Sequence, residues 1–438
     1  MKRLIQMLSA CCLRLMALII AAITIFPLPA LSMDNSPPSS STTITIQPLP
    51  LQDLTVGLGG IFQTDYRMYT GDERADDQFH IRRAQLELTT WVRNWLKLNM
   101  EYEFKNNTND HLMDTYAEIF FNSNSIRIGN FKKPFSLQFM TEDDAVYFAE
   151  RSMGTYLSAD RDVGLMLRSD LLNNRLFCSA GVFNADGDDT NSGSDEEDTP
   201  ETVARFVLAP FADGSSAWLR QFQFGGSATY AKINISDLNV TVKTSGMVDT
   251  SRNIYVLTHN TKFGVLQDVD DRRRMGLETA WAFHSLAIQS EYIALTLTGL
   301  KPAGVPANDA NLSSWYVSAL YFPTGETPKF QSGTLQPVKP IREFNPETGA
   351  FGALGIAARY DHFHGDPDWI TPDAYVSVRK ADGYSLALNW ILLPMHRIIL
   401  DYTYTDFSDP IRVRVNPDGS VDYIDNENAI TARYSISF

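Results

Sequence analysis

Two short stretches contain residue types that could hold a metal ion. The first, 186–198, is rich in Asp, Glu, Ser and Gly, but Asn191 stands where a calcium loop of this kind needs glycine. The second, 361–366, reads Asp-His-Phe-His-Gly-Asp, and its His-x-His spacing would place two imidazoles on one face of a strand. The sequence favours a solvated loop for the first, with loosely bound divalent ions as the alternative, and a rim or loop role at a strand end for the second. It predicts no metal site and no cofactor.

Catalytic and nucleic-acid-binding features are equally sparse. The chain has seven His, and no motif places a nucleophile beside one of them. The formal net charge is -15 at pH 7, which argues against nucleic acid as a partner. The run Arg272-Arg273-Arg274 has acidic neighbours, and we interpret it as a charged turn. The sequence therefore favours a protein that is not an enzyme.

The elements that carry these residues are predicted to be β-strands. The stretch 95–104 reads Trp-Leu-Lys-Leu-Asn-Met-Glu-Tyr-Glu-Phe, with apolar residues at every second position and polar residues between them. Successive side chains of a strand point to opposite faces, so this segment separates an apolar environment from water. The same alternation returns in 54–67, 83–92, 285–292, 386–405 and 430–438.

The lengths of the strands and of their connections favour a membrane barrel. The alternating segments run about ten residues, which is enough for a tilted strand to cross a bilayer. Tight turns alternate with long polar stretches, the longest being 185–201 and 299–312, and the last alternating segment ends on Phe438. We predict an all-β fold, a transmembrane antiparallel β-barrel, with a secreted β-sandwich as the alternative.

The N-terminal residues have the plan of an export signal. Basic residues are followed by an apolar run at 15–26 and then by small residues, which predicts a secretory signal peptide over 1–32. Residues 33–50 are rich in Pro and Ser and are expected to form a flexible leader, with the barrel over 51–438. Cys178 is the only cysteine beyond the signal, so no intrachain disulfide is expected. These features indicate the outer membrane of a Gram-negative bacterium.

A series of short motifs, taken in order, resembles the phosphate-selective porin O and P family. Together the motifs cover roughly residues 54–438. They are IRRAQLEL (81–88), IGNFKKPF (128–135), ERS (150–152), RDVG (161–164), GVFN (181–184), YFPTGE (321–326), VKP (338–340), AARY (357–360), LNW (388–390) and RIILDY (397–402).

This resemblance implies a sixteen-stranded barrel, usually a homotrimer, whose third long loop folds inward. In this chain the loop would be 133–160. A barrel this wide leaves a water channel that strand side chains cannot fill, so selectivity needs an inserted loop. The implied function is a diffusion porin that passes small ions and polar solutes, with outer-membrane lipid and lipopolysaccharide around its wall. A barrel hydrolase and a structural or adhesive barrel are the alternatives from other classes.

The resemblance also locates the residues expected to set selectivity. Family members that prefer phosphate place two serines and a lysine near the turn of this loop, where this chain has Glu142, Asp143 and Asp144. Carboxylates at a narrow aqueous site repel phosphate and concentrate cations. We therefore expect a general or weakly cation-preferring porin, with a phosphate- or anion-selective porin as the alternative. In the other interpretation these carboxylates lie off the pore axis and pair with arginines that hold the loop to the wall.

Basic and acidic residues are also expected along the channel. Opposed rows of the two signs would give a transverse field, which suits small zwitterionic or polar solutes better than a single anion. The basic residues that flank the loop are Lys132, Lys133, Arg151 and Arg161. The candidates for side chains that face the lumen are Arg83, Glu87, Glu101, Glu118 and Arg127.

Overall fold

The fold is described from a computed structural model of the chain. The described residues are 42–43, 54–70, 75–105, 111–185, 200–235, 238–248, 250, 252–369 and 378–438, of which 42–43 and 414–415 are described by their backbone alone. The predicted signal peptide and the stretch 186–198 lie outside these residues, as does the predicted leader except Thr42–Thr43. These two residues pair with the first barrel strand.

Sixteen antiparallel strands form the wall, each paired with its neighbour in the chain. The strands are β1 Leu54–Tyr69, β2 Gln78–Val92, β3 Leu96–Glu103, β4 Thr115–Phe121, β5 Asn124–Lys132, β6 Arg161–Leu171, β7 Leu176–Phe183, β8 Glu201–Leu208, β9 Gln223–Lys232, β10 Asp271–Phe283, β11 Leu286–Pro302, β12 Asn308–Tyr321, β13 Ala353–His364, β14 Lys380–Leu393, β15 His396–Val415 and β16 Val421–Ser437. The first strand pairs with the last, from Ile61 opposite Ser437 to Tyr69 opposite Ala429. The wall is therefore closed, and the predicted sixteen-stranded barrel is confirmed.

Burial along the strands is the inverse of that in a water-soluble protein. Leu98 and Met100 of β3 are 42% and 47% exposed, whereas Asn99 between them is only 5% exposed. The outer face of a membrane barrel must be apolar because it meets hydrocarbon, and its inner face can be polar because it meets water. The predicted alternation of β3 is thus confirmed. None of the described helices has the length and apolar character to cross a membrane.

The two ends of the barrel differ in their connections. One end has tight turns such as 122–123, 284–285 and 394–395, and it also carries two longer connections, 209–222 and 322–352. The other end carries 133–160 and 233–270. Two-residue turns at one end only are typical of outer-membrane barrels, in which those turns face the periplasm.

The prediction of a long polar loop at 299–312 was wrong. Strand β11 continues to Pro302 and β12 begins at Asn308, so only 303–307 connect them. The alternation was hidden because its chemistry reverses along β11. Near the tight turn the outward residues Ile288 and Tyr292 are apolar or aromatic and the inward Glu291 is charged, whereas farther along the outward residues are polar and the inward ones aliphatic. The aliphatic positions are Leu295, Leu297 and Leu300, which belong to a buried cluster with the segment 233–270.

Candidate conduit and its charged lining

The segment 133–160 connects β5 to β6, which are the bounds the sequence predicts. It contains the helix α1, Leu137–Met140, and two 3-10 turns, Asp143–Ala145 and Met153–Leu157. The helix is short but capped, since the hydroxyl of Ser136 accepts a hydrogen bond from the backbone N–H of Phe139 at 3.1 Å. Most of the segment is buried.

Polar side chains from distant strands hold the backbone of this segment. The carboxylate of Glu291 accepts a hydrogen bond from the N–H of Leu137 at 2.7 Å, and Asn389 donates one to the carbonyl of Tyr147 at 2.9 Å. Asp361 and Asp401 accept from the N–H groups of Met153 and Ala149 at 2.9 and 3.0 Å. These contacts come from β11 and β13–β15, far around the sheet from β5 and β6. The segment is therefore tied to strands other than the two it connects.

Glu150 is the most heavily paired residue of the segment. Its carboxylate accepts hydrogen bonds from Arg67 at 2.5 Å, from Arg82 at 2.6 and 2.8 Å, and from Arg433 at 2.9 Å. Burial alone would raise the pKa of Glu150, but the guanidinium groups of Arg82, Arg433 and Arg67 hold it well below its usual range. Glu150 thus stays charged and joins the segment to β1, β2 and β16.

The three adjacent carboxylates have three different environments. Asp143 pairs with Arg83 at 2.9 Å and with Arg151 at 2.7 Å. Burial alone would raise the pKa of Asp143, but Arg83 and Arg151 keep it well below its usual range. The side chain of Glu142 is 73% exposed and pairs with Lys132 at 3.1 Å. Within the described residues Asp144 has no ion-pair partner, and only its carbonyl accepts a hydrogen bond, from Arg397 at 3.1 Å.

A cavity of about 480 Å³ lies between this segment and one side of the wall. Its lining comes mainly from β2–β8 and from Glu142, Asp143 and Asp144, with Ser332 and Thr334 from the connection between β12 and β13. The basic residues that line it are Lys97, Arg127, Lys132, Arg161, Arg168 and Arg205. The acidic ones are Glu87, Glu101, Asp114, Glu142, Asp143 and Asp144. Charged groups of both signs thus face one aqueous space.

Four of the candidates that the sequence nominates lie behind this lining. Arg83 and Arg151 are the partners of Asp143. Glu118 is buried and pairs with Arg127 at 2.7 Å. Lys133 is buried against Asp162 and Glu201, at 2.7 and 2.8 Å. The other candidates line the cavity directly.

Sequence reasoning missed four charged residues of the lining: Lys97, Asp114, Arg168 and Arg205. Strand parity alone could have found Lys97, which lies between Leu96 and Leu98. Parity did not reveal Arg205, because the inward positions on either side of it, Val203 and Val207, are apolar.

The metal-like stretch 361–366 is split between two faces of β13. Asp361 contacts the segment 133–160, whereas His362 lies on the opposite face with its Nδ1 2.8 Å from Oδ1 of Asp382. In the described part of the chain, no three His, Cys, Asp or Glu residues are grouped as a metal site would require.

Solved structures with a similar fold are outer-membrane channels. The anion-selective porin from Comamonas acidovorans aligns with a TM-score of 0.52 at 10% identity, over 88% of this chain and 100% of that one. The outer-membrane channel DcaP of Acinetobacter baumannii aligns with a TM-score of 0.50 at 12% identity, over 88% of this chain and 98% of that one. At such low identity the likeness concerns the fold alone.

The sequence comparisons are decisive at the level of the family. No curated protein matches the chain. The model of phosphate-selective porin O and P matches residues 56–433, which include the motifs that carry the resemblance from IRRAQLEL to RIILDY. The chain therefore belongs to the phosphate-selective porin O and P family.

Proposed function

We propose that this outer-membrane diffusion channel is a general, weakly cation-preferring porin that is narrowed from inside by the segment 133–160. The support for the narrowing is the set of hydrogen bonds from Glu291, Asp361, Asn389 and Asp401 to the backbone of that segment. These side chains belong to the inner face of strands far from β5 and β6. A segment that starts at β5 reaches them by the shortest route through the lumen.

The pairing of the charged lining supports a weak preference for cations. The lining has six basic and six acidic residues, so neither sign dominates by number. Among the described residues, however, Glu87, Glu101 and Asp144 have no ion-pair partner, whereas every basic residue of the lining except Lys97 has one, with Glu118 shared by Arg127 and Arg168. Lys97 makes a hydrogen bond with the hydroxyl of Tyr116 instead. A passing ion responds most strongly to charges that no neighbour neutralises, and these are mostly negative.

Neutralising two carboxylates that line the cavity should move selectivity toward anions. In the double variant Glu142→Gln and Asp144→Asn, we expect the ratio of potassium to chloride permeability to fall by about threefold to tenfold, since each lost charge changes the local energy by about 1 kcal/mol. Reversal potentials across a potassium chloride gradient in planar bilayers measure this ratio. Glu347→Gln, which removes an exposed carboxylate outside the cavity lining, is the control. Strong anion preference of the wild type with block by phosphate would instead support a phosphate-selective porin.

Lowering the pH from about 7 to about 5 should weaken the cation preference, because Asp144 then loses its charge. Burial raises the pKa of Asp144 to about 6, with repulsion from Glu142 and Asp143 adding to the shift and Arg397 opposing it. A carboxyl group with a raised pKa is ionised above that value and neutral below it, so the change falls within this interval. Reversal potentials at both pH values provide the measurement. Asp144→Asn should reduce the response, and an undiminished response would assign it to another group.

The remaining expectations extend this proposal. We propose that the channel is not an enzyme, that residues 1–32 direct its export in a Gram-negative bacterium, and that it assembles as a homotrimer. Outer-membrane lipid and lipopolysaccharide would then surround the part of the wall that other copies leave free. The family supports these expectations, since its members are usually trimeric porins.

A further inference from the structure

We propose that the conduit favours zwitterionic solutes, such as short peptides, over uncharged solutes of the same size. This inference rests on the proposed function and names the substrate class of the same cavity. It is carried by the arrangement of charge along the wall. The unpaired carboxylates and an excess of basic groups lie at two separate levels of one cavity.

The acidic level is formed by Glu87 of β2 and Glu101 of β3. The two residues are directly opposite each other in the register of these strands, so their Cβ atoms lie roughly 5 Å apart. Like charges in this position are unfavourable for the sheet. Neither carboxylate has an ion-pair partner among the described residues, and both line the cavity. An ammonium group between them would relieve the repulsion.

The basic level lies nearer the tight-turn end of the wall. Lys97 of β3 is opposite Glu118 of β4, which is opposite Arg127 of β5. Glu118 also pairs with Arg168 at 3.3 Å. Lys97, Arg127 and Arg168 all line the cavity, but the single carboxylate among them is buried behind the lining. Arg127 and Arg168 therefore share one carboxylate and Lys97 forms no ion pair among the described residues, so the level carries an excess of positive charge that suits a carboxylate.

The spacing of the two levels fits a solute whose charges are several bonds apart. Lys97 and Glu101 are four residues apart on one strand, which corresponds to roughly 14 Å along the backbone, and their flexible side chains shorten this span. The cavity of about 480 Å³ is within the usual size for small-molecule sites. A zwitterion can contact both levels at once with its two ends. A potassium or chloride ion contacts only one, and an uncharged solute gains from neither.

The test compares 6-aminohexanoate with the uncharged 6-hydroxyhexanamide, which has the same chain length. Uptake of both into proteoliposomes containing the full mature chain is measured at about pH 8, where carboxyl groups are ionised. We expect the wild type to pass the zwitterion faster than the uncharged solute. The double variant Glu87→Gln and Glu101→Gln should lower this ratio about fivefold, as the loss of a contact with an ammonium group predicts. Glu347→Gln, outside the cavity lining, should not change it.

A second variant tests the basic level by the same measurement. Lys97→Gln should also lower the ratio of zwitterion uptake to uncharged-solute uptake, and it keeps the proposal testable if the double variant does not fold. A wild-type ratio of one or less, or an unchanged ratio in both sets of variants, would overturn the inference. Potassium chloride conductance of the same preparation separates the two proposals. If the preparation conducts potassium chloride but the uptake ratio is one or does not change in the variants, only the inference about zwitterions fails. Absence of conductance would also contradict the proposed porin function.

Discussion

Replacing Glu150 with alanine should raise the single-channel conductance by about twofold to threefold, because the segment 133–160 loses its strongest attachment to the wall. The wild-type carboxylate is held by three guanidinium groups, those of Arg67, Arg82 and Arg433. Removing one partner of a buried ion pair costs up to about 3–5 kcal/mol, and the cost is smaller here because Asp65 still pairs with Arg67 and Arg433. The guanidinium groups then share one carboxylate fewer and repel one another more strongly, which favours release of the segment. Single-channel recording in planar bilayers measures the conductance.

Two further variants separate release of the segment from a general effect of the substitution. Glu150→Asp keeps the charge and should keep most of the wild-type conductance. Glu347→Ala removes an exposed carboxylate outside the cavity lining and should leave the conductance unchanged. If Glu150→Ala conducts like the wild type while the barrel remains folded, the arginine cluster is not what holds the constriction.

Lys133→Met should destabilise the folded barrel by about 3–5 kcal/mol, because it leaves two buried carboxylates without their shared cation. The ammonium of Lys133 lies 2.7 Å from Asp162 and 2.8 Å from Glu201, and all three side chains are almost completely buried. Glu201 keeps Arg272 and Arg274 as partners, but Asp162 keeps only backbone N–H donors. Urea unfolding in lipid vesicles, followed by tryptophan fluorescence, measures the free energy of unfolding.

The neighbouring lysine provides a matched control for this prediction. Lys132 pairs with Glu142, whose side chain is 73% exposed, so water replaces the lost partner. Lys132→Met should therefore change the free energy of unfolding by about 1 kcal/mol or less. Equal losses in the two variants would show that burial of the carboxylates does not govern the effect.

The sequence was sufficient for the lipid-facing part of the wall, because lipid imposes one rule on every strand that crosses it. A residue that faces hydrocarbon must be apolar, so the parity of Leu98, Asn99 and Met100 indicates which face each side chain occupies. The bounds of the segment 133–160 came from motifs on either side of it. The prediction for the candidate site was less complete, because parity does not show which of the inward charges on the strands line the cavity, and Lys97, Arg168 and Arg205 were missed. Lys132 and Lys133 are adjacent and chemically identical, yet one pairs with an exposed carboxylate and the other with two buried ones.

The interpretation of Arg272-Arg273-Arg274 as a charged turn was wrong for a related reason. These residues belong to β10, and Arg272 and Arg274 pair with Glu201 at 3.3 and 2.7 Å. Consecutive charges are compatible with a strand when their partners come from other strands. Glu201 is far away in sequence but lies on β8, which only β9 separates from β10 in the wall. Pairings of this kind depend on the three-dimensional wall and leave no local signal.

The reversal of polarity along β11 determines the depth of the barrel in the bilayer. Moving the barrel in one direction along the membrane normal would place Thr296 and Thr298 in hydrocarbon, and moving it in the other would expose Ile288 and Tyr292 to water. Both displacements cost free energy, so the vertical position has a single minimum. The position at which the polarity of the outward residues changes marks the boundary between hydrocarbon and water on this strand. Long strands can therefore extend beyond the lipid while the wall keeps its depth in the membrane.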